Sequence, residues 1–283
     1  MLTDPADRCL LFGASGRLGR LCAALLRERG VAFGTLARNG DLQYGGSRVG
    51  NLHQADIPSG RHLVIDASID HGSLEAMLAL ETAKHAFLER LHARAGLAGL
   101  VAFSSGVAEF DESLIRTEWH RRYRQAKLHL ERWAGGLSVP AYCPRLFVVI
   151  GAQSFTAPTT GWVDVVRQAC GSSSVGMGAP DEPRSWVAEA YLGALLHAFL
   201  DAPERVLPAT PLNGTFSLAQ VARLTAQWQG KVVEFEHRPT TSWLSVPYVS
   251  RVAPWMAAEY SLEAVLSPLV REYAASLRSG RSG

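Results

Sequence analysis

The strongest constraint on this chain is a glycine-rich turn, Gly13-Ala14-Ser15-Gly16-Arg17-Leu18-Gly19, set between an apolar run and a helical pattern. Cys9-Leu10-Leu11-Phe12 reads as a buried strand. Arg17 to Gly30 reads as a helix with Leu18, Cys22, Leu25 and Leu26 at helical spacing. Glycines at G-x-x-G-x-x-G spacing let the backbone turn tightly and bring an anion onto the free N–H groups of a helix N-terminus. Gly13, Ser15, Gly16, Arg17 and Leu18 are therefore candidate dinucleotide contacts, with Gly19 allowing helix to pack closely on strand. The bland alternative is a tight turn in an α/β protein that binds nothing.

The pattern repeats downstream. Strands are expected at Val31 to Ala37, Leu63 to Ile65, Leu100 to Phe103 and Ala141 to Ile150, with helices over Ser73 to Ala95 and Glu118 to Trp133. Such alternation predicts an α/β Rossmann fold, a doubly wound parallel sheet with ligands beyond the carboxyl ends of its strands. After Gly151 the character changes. Helices are expected at Trp162 to Ala169, Trp186 to Leu200, Leu218 to Gln229 and Leu262 to Leu277, separated by loops rich in Thr, Pro, Ser and Gly. The expected organisation is a dinucleotide-binding domain over 1–151 with its core completed by later segments, a smaller substrate lobe over 152–277, and a disordered tail at 278–283.

Charge narrows the partners. Lys+Arg of 28 against Asp+Glu of 26 gives a formal charge of +2, no footprint for nucleic acid. The apolar runs are strand-length, too short to span a bilayer, and no signal peptide is read. Cys9, Cys22, Cys143 and Cys170 form no C-x-x-C pair and no zinc spacing, so no metal is expected and a cytoplasmic protein is. His62, His71 and His120 read as surface or capping groups. Trp243, Tyr248 and Trp255 either fill the smaller lobe's core or line a pocket.

Two patterns carry chemistry. Arg38 and Asn39 end the second strand with no carboxylate before Asp41; a guanidinium suits a ribose 2′-phosphate, so NADP is favoured over NAD. Tyr123-Arg124-Gln125-Ala126-Lys127 puts a phenol and an ammonium at i and i+4 on one helix face. A tyrosine can protonate a carbonyl oxygen as hydride arrives if a nearby cation lowers its pKa. Ser104-Ser105, at the end of the preceding strand, offers a hydroxyl to polarise that oxygen. The neighbouring Arg116, His120, Arg121, Arg122 and Arg124 read as a solvated basic face open to an anionic substrate.

With these residues in this order, the sequence resembles the extended short-chain dehydrogenase/reductase family, which includes nucleotide-sugar epimerases, dehydratases and 4-ketoreductases. It looks most like the dTDP-4-dehydrorhamnose reductase type. The resemblance runs to about Gly230. It implies adenine contact near Asp56, cofactor contacts at Ala67 and Ser68, a catalytic hydroxyl at Ser105 with Ser104 structural, and Tyr123 and Lys127 as the catalytic pair. It further implies that the strand through Phe147 ends beside the nicotinamide. Arg184 would then grip a nucleotide-sugar diphosphate, the alternative being a solvated loop arginine. The family habit of pairing through long helices implies a homodimer.

The departures are informative. Family dehydratases follow their hydroxyl with Asp-Glu, whereas Gly106-Val107 stand here, so the resemblance does not extend to dehydration. The interval from Ser105 to Tyr123 is short, which trims the loop over the site. The expected function is NADP(H)-dependent reduction of a nucleotide-linked 4-keto-deoxysugar or similar carbonyl. Its rivals are an NAD-retaining epimerase and a non-catalytic NAD(P)-binding sensor or scaffold.

Overall fold

The computed structural model of the chain describes residues 8–36, 40–45, 47–54, 59–68, 72–156, 161–238, 243–255 and 257–279. Arg38, Asp56, His71 and the tail from residue 280 lie outside the described residues. In chain order the first elements are β1 (Arg8–Phe12), α1 (Arg17–Glu28), β2 (Phe33–Leu36), β3 (Asp41–Tyr44), β4 (Ser47–Asn51), β5 (His62–Asp66), α2 (Leu74–Ala93), β6 (Leu97–Ala102), β7 (Ser104–Ser105) and α3 (Glu118–Gly135). Then come β8 (Ala141–Tyr142), β9 (Arg145–Leu146), β10 (Val148–Ile150), α4 (Trp162–Gly171), β11 (Ser174–Met177), β12 (Arg184–Ala188), α5 (Glu189–Asp201), β13 (Gly214–Phe216), α6 (Leu218–Gln227), β14 (Glu234–His237) and α7 (Leu262–Arg278).

Seven strands form one sheet in the order β4-β3-β2-β1-β5-β6-β8. From β2 to β8 all neighbours are parallel. The β3–β4 hairpin adds an antiparallel edge that the sequence did not announce. β5 and β6 are buried at every position, which is why Leu63-Val64-Ile65 and Leu100-Val101-Ala102 read as apolar runs rather than alternating ones. The register aligns Phe12, Asp66 and Ala102. The residues that follow them (Gly13, Ala67 and Phe103) therefore leave the sheet at one carboxyl edge.

Three sequence expectations are corrected. The run from Ala141 to Ile150 is not one strand but β8, β9 and β10: Pro144, with no N–H to give a ladder, falls in the first break, and the three pieces pair with different strands, β6, β7 and β12. Trp186-Val187-Ala188 belongs to β12, paired with β10 and β13, and the helix starts at Glu189. Sheet pairing overrides the helical periodicity there. His62 is not a surface group: it is fully buried in β5, with Nε2 3.1 Å from the Ser59 carbonyl oxygen.

The chain divides into two compact units, one of 1–112, 117–145 and 193–210, the other of 113–116, 146–192 and 211–283. Each has its own core. In the first, Leu10, Phe12, Val64, Phe87, Leu100 and Leu130 pack together. In the second, Trp162, Val166, Trp186, Phe216, Val221 and Leu266 do so, drawing on α4, β12, β13, α6 and α7. Among the described residues no helix is long and apolar enough to cross a membrane.

Candidate active site

The glycine turn makes the first part of the site. Gly13 has φ +75°, and a β-carbon on it would lie 2.7 Å from the Ala67 carbonyl oxygen and from Ser68 Cα. Its carbonyl accepts from the Gly16 N–H at 2.9 Å, closing the turn. Gly19 is tighter still: a β-carbon there would meet the Gly13 carbonyl oxygen at 1.9 Å. Gly16 caps α1 with no side-chain hydrogen bond, and the first turn carries no acidic residue. The helix N-terminus thus offers N–H groups and the positive end of its dipole, with Ser15, Gly16 and Arg17 exposed and Leu18 half-buried beside it. Ala67 and Ser68 line the same edge, and Ser68 is fixed by hydrogen bonds from its N–H (3.0 Å) and hydroxyl (2.6 Å) to Asp66 Oδ1.

Ser105, Tyr123 and Lys127 meet at that edge. Ser105 caps a short turn, its Oγ accepting from the Val107 N–H at 3.3 Å, and it hydrogen-bonds the Tyr123 hydroxyl. α3 carries the pair because Thr117 caps it, Oγ1 accepting from the His120 N–H at 3.3 Å. Lys127 is buried, and its Nζ lies 5.4 Å from the Tyr123 ring centroid. Ser104 points elsewhere: its hydroxyl donates to Glu131, which also takes a bidentate pair from Arg145 at 2.9 and 2.6 Å.

Beneath this pair is a charge cluster. Lys84 Nζ sits 2.8 Å from Asp66 Oδ2, 2.8 Å from Glu81 Oε1 and 3.2 Å from the Ser68 carbonyl oxygen. Lys127 Nζ is 3.6 Å from the same Glu81 oxygen. The side chains of Asp66, Lys84 and Lys127 are only 1%, 2% and 2% exposed, so four charges share a nearly dry space among β5, α2 and α3. Burial disfavours the Asp66 carboxylate, but Lys84, Lys127 and the Ser68 hydroxyl outweigh it and hold its carboxyl below the usual range. The phenol differs from expectation. Burial first, then the Glu81 and Asp66 carboxylates, push Tyr123 above the ordinary tyrosine value, against the pull of Lys84 and Ser105. Glu81 holds the Lys127 ammonium and offsets the cation that was expected to acidify the tyrosine.

In the second unit, Phe147 is buried against Tyr248 at a ring distance of 4.6 Å, and Tyr248 in turn meets Trp243 at 5.3 Å. Trp255 is half exposed and stacks on Tyr191 at 4.7 Å. Arg184, at the start of β12, touches Glu182 at 3.4 Å through Nη2, while its Nη1 is buried with no partner among the described residues. Desolvation lowers its pKa. Glu81 and Lys84 are members of this cluster that the sequence reading did not single out. At i and i+3 on an amphipathic-looking helix they have the spacing of an ordinary solvated pair.

No family model and no curated protein matches the sequence. Solved structures do resemble the fold. UDP-glucuronic acid 4-epimerase from Bacillus cereus, in complex with NAD, is 14% identical with a TM-score of 0.69, covering 96% of this chain and 98% of that one. A GDP-L-fucose synthetase from Naegleria fowleri is 13% identical with a TM-score of 0.66, covering 100% and 98%. A partial-consensus L-threonine 3-dehydrogenase is 16% identical with a TM-score of 0.70, covering 95% and 99%. At such identities the likeness establishes the Rossmann-type α/β fold. The three names differ in substrate, so the substrate must be argued from the site.

Proposed function

We propose that this chain is an NADP(H)-dependent enzyme of the extended short-chain dehydrogenase/reductase kind that reduces a carbonyl compound, in particular a nucleotide-linked 4-keto-deoxysugar. The observation that carries this reading is the meeting of Ser105, Tyr123 and Lys127 at the sheet edge where the uncapped α1 begins. The glycine turn fits a dinucleotide, since a β-carbon at Gly13 or Gly19 would fill the backbone approach. Gly13, Ser15, Gly16, Arg17 and Leu18 would hold the pyrophosphate, Arg38 the 2′-phosphate, Asp56 the adenine side, and Ala67, Ser68 and Phe147 the remainder. When bound, the reduced nicotinamide supplies hydride to the carbonyl carbon. Ser105 donates a hydrogen bond to the carbonyl oxygen. Tyr123 gives that oxygen its proton, and Lys127 stabilises the phenolate left behind. The unpartnered buried Nη1 of Arg184 supports an anionic substrate group such as a diphosphate. The four free cysteines support a cytoplasmic setting.

A second reading is an epimerase that oxidises and re-reduces one substrate on retained NAD, favoured by the NAD in the Bacillus cereus structure. Denaturing freshly purified protein and identifying the released nucleotide by mass spectrometry separates the two. Stoichiometric NAD would replace the reductase reading with the epimerase. NADP(H), or an empty protein that oxidises NADPH in preference to NADH with a 4-keto nucleotide sugar, would support the reductase. Cofactor binding without turnover on any carbonyl would leave a sensor or scaffold.

A further inference from the structure

The charge cluster under Tyr123 is larger than a Tyr–Lys pair needs, and it is built at a cost. Three elements give up solvated charges to form it: Asp66 from β5, Glu81 and Lys84 from α2, and Lys127 from α3. Burying charge without compensation is expensive, so each member of such a group must be matched. Lys84 makes the matching possible, because its one ammonium meets Asp66 and Glu81 at 2.8 Å each and also the Ser68 carbonyl oxygen at 3.2 Å. Without it, two buried carboxylates would face a single cation, Lys127.

We propose that Lys84 and Glu81 are positioning residues of the Tyr123–Lys127 pair: Glu81 seats the Lys127 ammonium, and Lys84 supplies the countercharge that keeps the two carboxylates from acting on the phenol unopposed. The proposal rests on the reading of Tyr123 and Lys127 as the acid pair. It makes this enzyme's proton donor depend on a glutamate–lysine couple from α2, besides the serine at the sheet edge. The charged groups that face the phenol are Asp66 on β5, Glu81 and Lys84 on α2, and Lys127 on α3. Cys143, after β8, lies within the field of the same cluster. Burial apart, Glu81 and Asp66 raise the phenol and Lys84 lowers it, with signs that match the proposal, while the Lys127 ammonium stands 5.4 Å from its ring centroid.

The test is the ionisation of Tyr123 itself, followed by NMR of 13Cζ-labelled tyrosine in the full chain without added nucleotide. The resonance is assigned by its loss in Tyr123→Phe. In Glu81→Gln the phenol should ionise at a pH lower than wild type by about one pH unit or more, since the carboxylate that raises it is removed. Lys84→Met added to the Glu81→Gln variant should move it back up by a similar amount, and Lys84→Arg added to the same variant should not. Thermal melts establish that each variant is folded. If the double variant does not fold, Glu81→Gln against wild type decides alone. Equal titration of Glu81→Gln and wild type overturns the proposal, as does equal titration with and without the Lys84 charge. These outcomes are independent of turnover, so an enzyme inactive on every carbonyl would defeat the proposed function while leaving the titration to judge the cluster.

Discussion

A β-carbon on Gly19 would lie 1.9 Å from the Gly13 carbonyl oxygen and 2.5 Å from its carbon, and neither backbone atom can step aside. Gly19→Ala should therefore cost about 1–3 kcal/mol, as overpacking does, and should weaken NADPH binding at least tenfold. Denaturant unfolding and fluorescence titration check the two effects. Gly30 is the control: its φ is +66° but nothing lies within 4 Å of an added β-carbon, so Gly30→Ala should lose about 1 kcal/mol and leave binding alone. Tyr123→Phe keeps the ring and removes the proton. It should retain NADPH affinity while turnover falls by about 10²–10⁴, the usual worth of a positioned acid. Unchanged turnover would sink its assignment. That Ser105, Tyr123 and Lys127 come together was legible because their types, order and spacing are themselves the signal. Lys84 was not, because only the fold shows that its ammonium ends on Asp66, 18 residues earlier in the chain.

Among the elements, α3 carries both members of the proposed Tyr123–Lys127 pair, and Thr117 starts it. Thr117→Ala frees the His120 N–H and should destabilise the protein by about 1 kcal/mol, the typical value of an N-cap. If the cap also sets the pitch of the first turn, turnover should fall more than the melting temperature predicts, which parallel assays at a temperature well below the transition will show. The long helices were readable from periodicity, and α1, α2 and α3 lie where the apolar spacing put them, to within a few residues at either end. Short apolar runs such as Trp186-Val187-Ala188 satisfy helix and strand patterns equally, and the choice fell to pairing with β10 and β13, segments far away in sequence. Pro144 was visible in the sequence, and weighing its missing N–H would have broken the run at 141–150 in advance.

For the molecule as a whole, the buried cluster makes a prediction about acid. The Asp66 carboxyl is held below its ordinary value, so its contribution to stability is present in full above the unfolded value of about 3.9 and is lost as pH falls through the folded one. Stability should therefore drop on acidification below about pH 4, as protonating Asp66 leaves Lys84 and Lys127 sharing Glu81 alone. Asp66→Asn should lose about 3–5 kcal/mol at neutral pH, the cost of breaking a buried pair from one side, and should show a flatter acid limb. Other carboxylates titrate in this range too. Glu118 is lowered by Arg121 and Arg122, and Asp201 by Arg29, but their side chains are 49% and 65% exposed. Ions screen exposed pairs strongly at about 1 M salt and buried ones far less. Urea unfolding from pH 6 to pH 2.5, with and without that salt, separates the contributions. An acid limb that survives in salt and is flattened by Asp66→Asn assigns it to the cluster; one that salt abolishes assigns it to the surface.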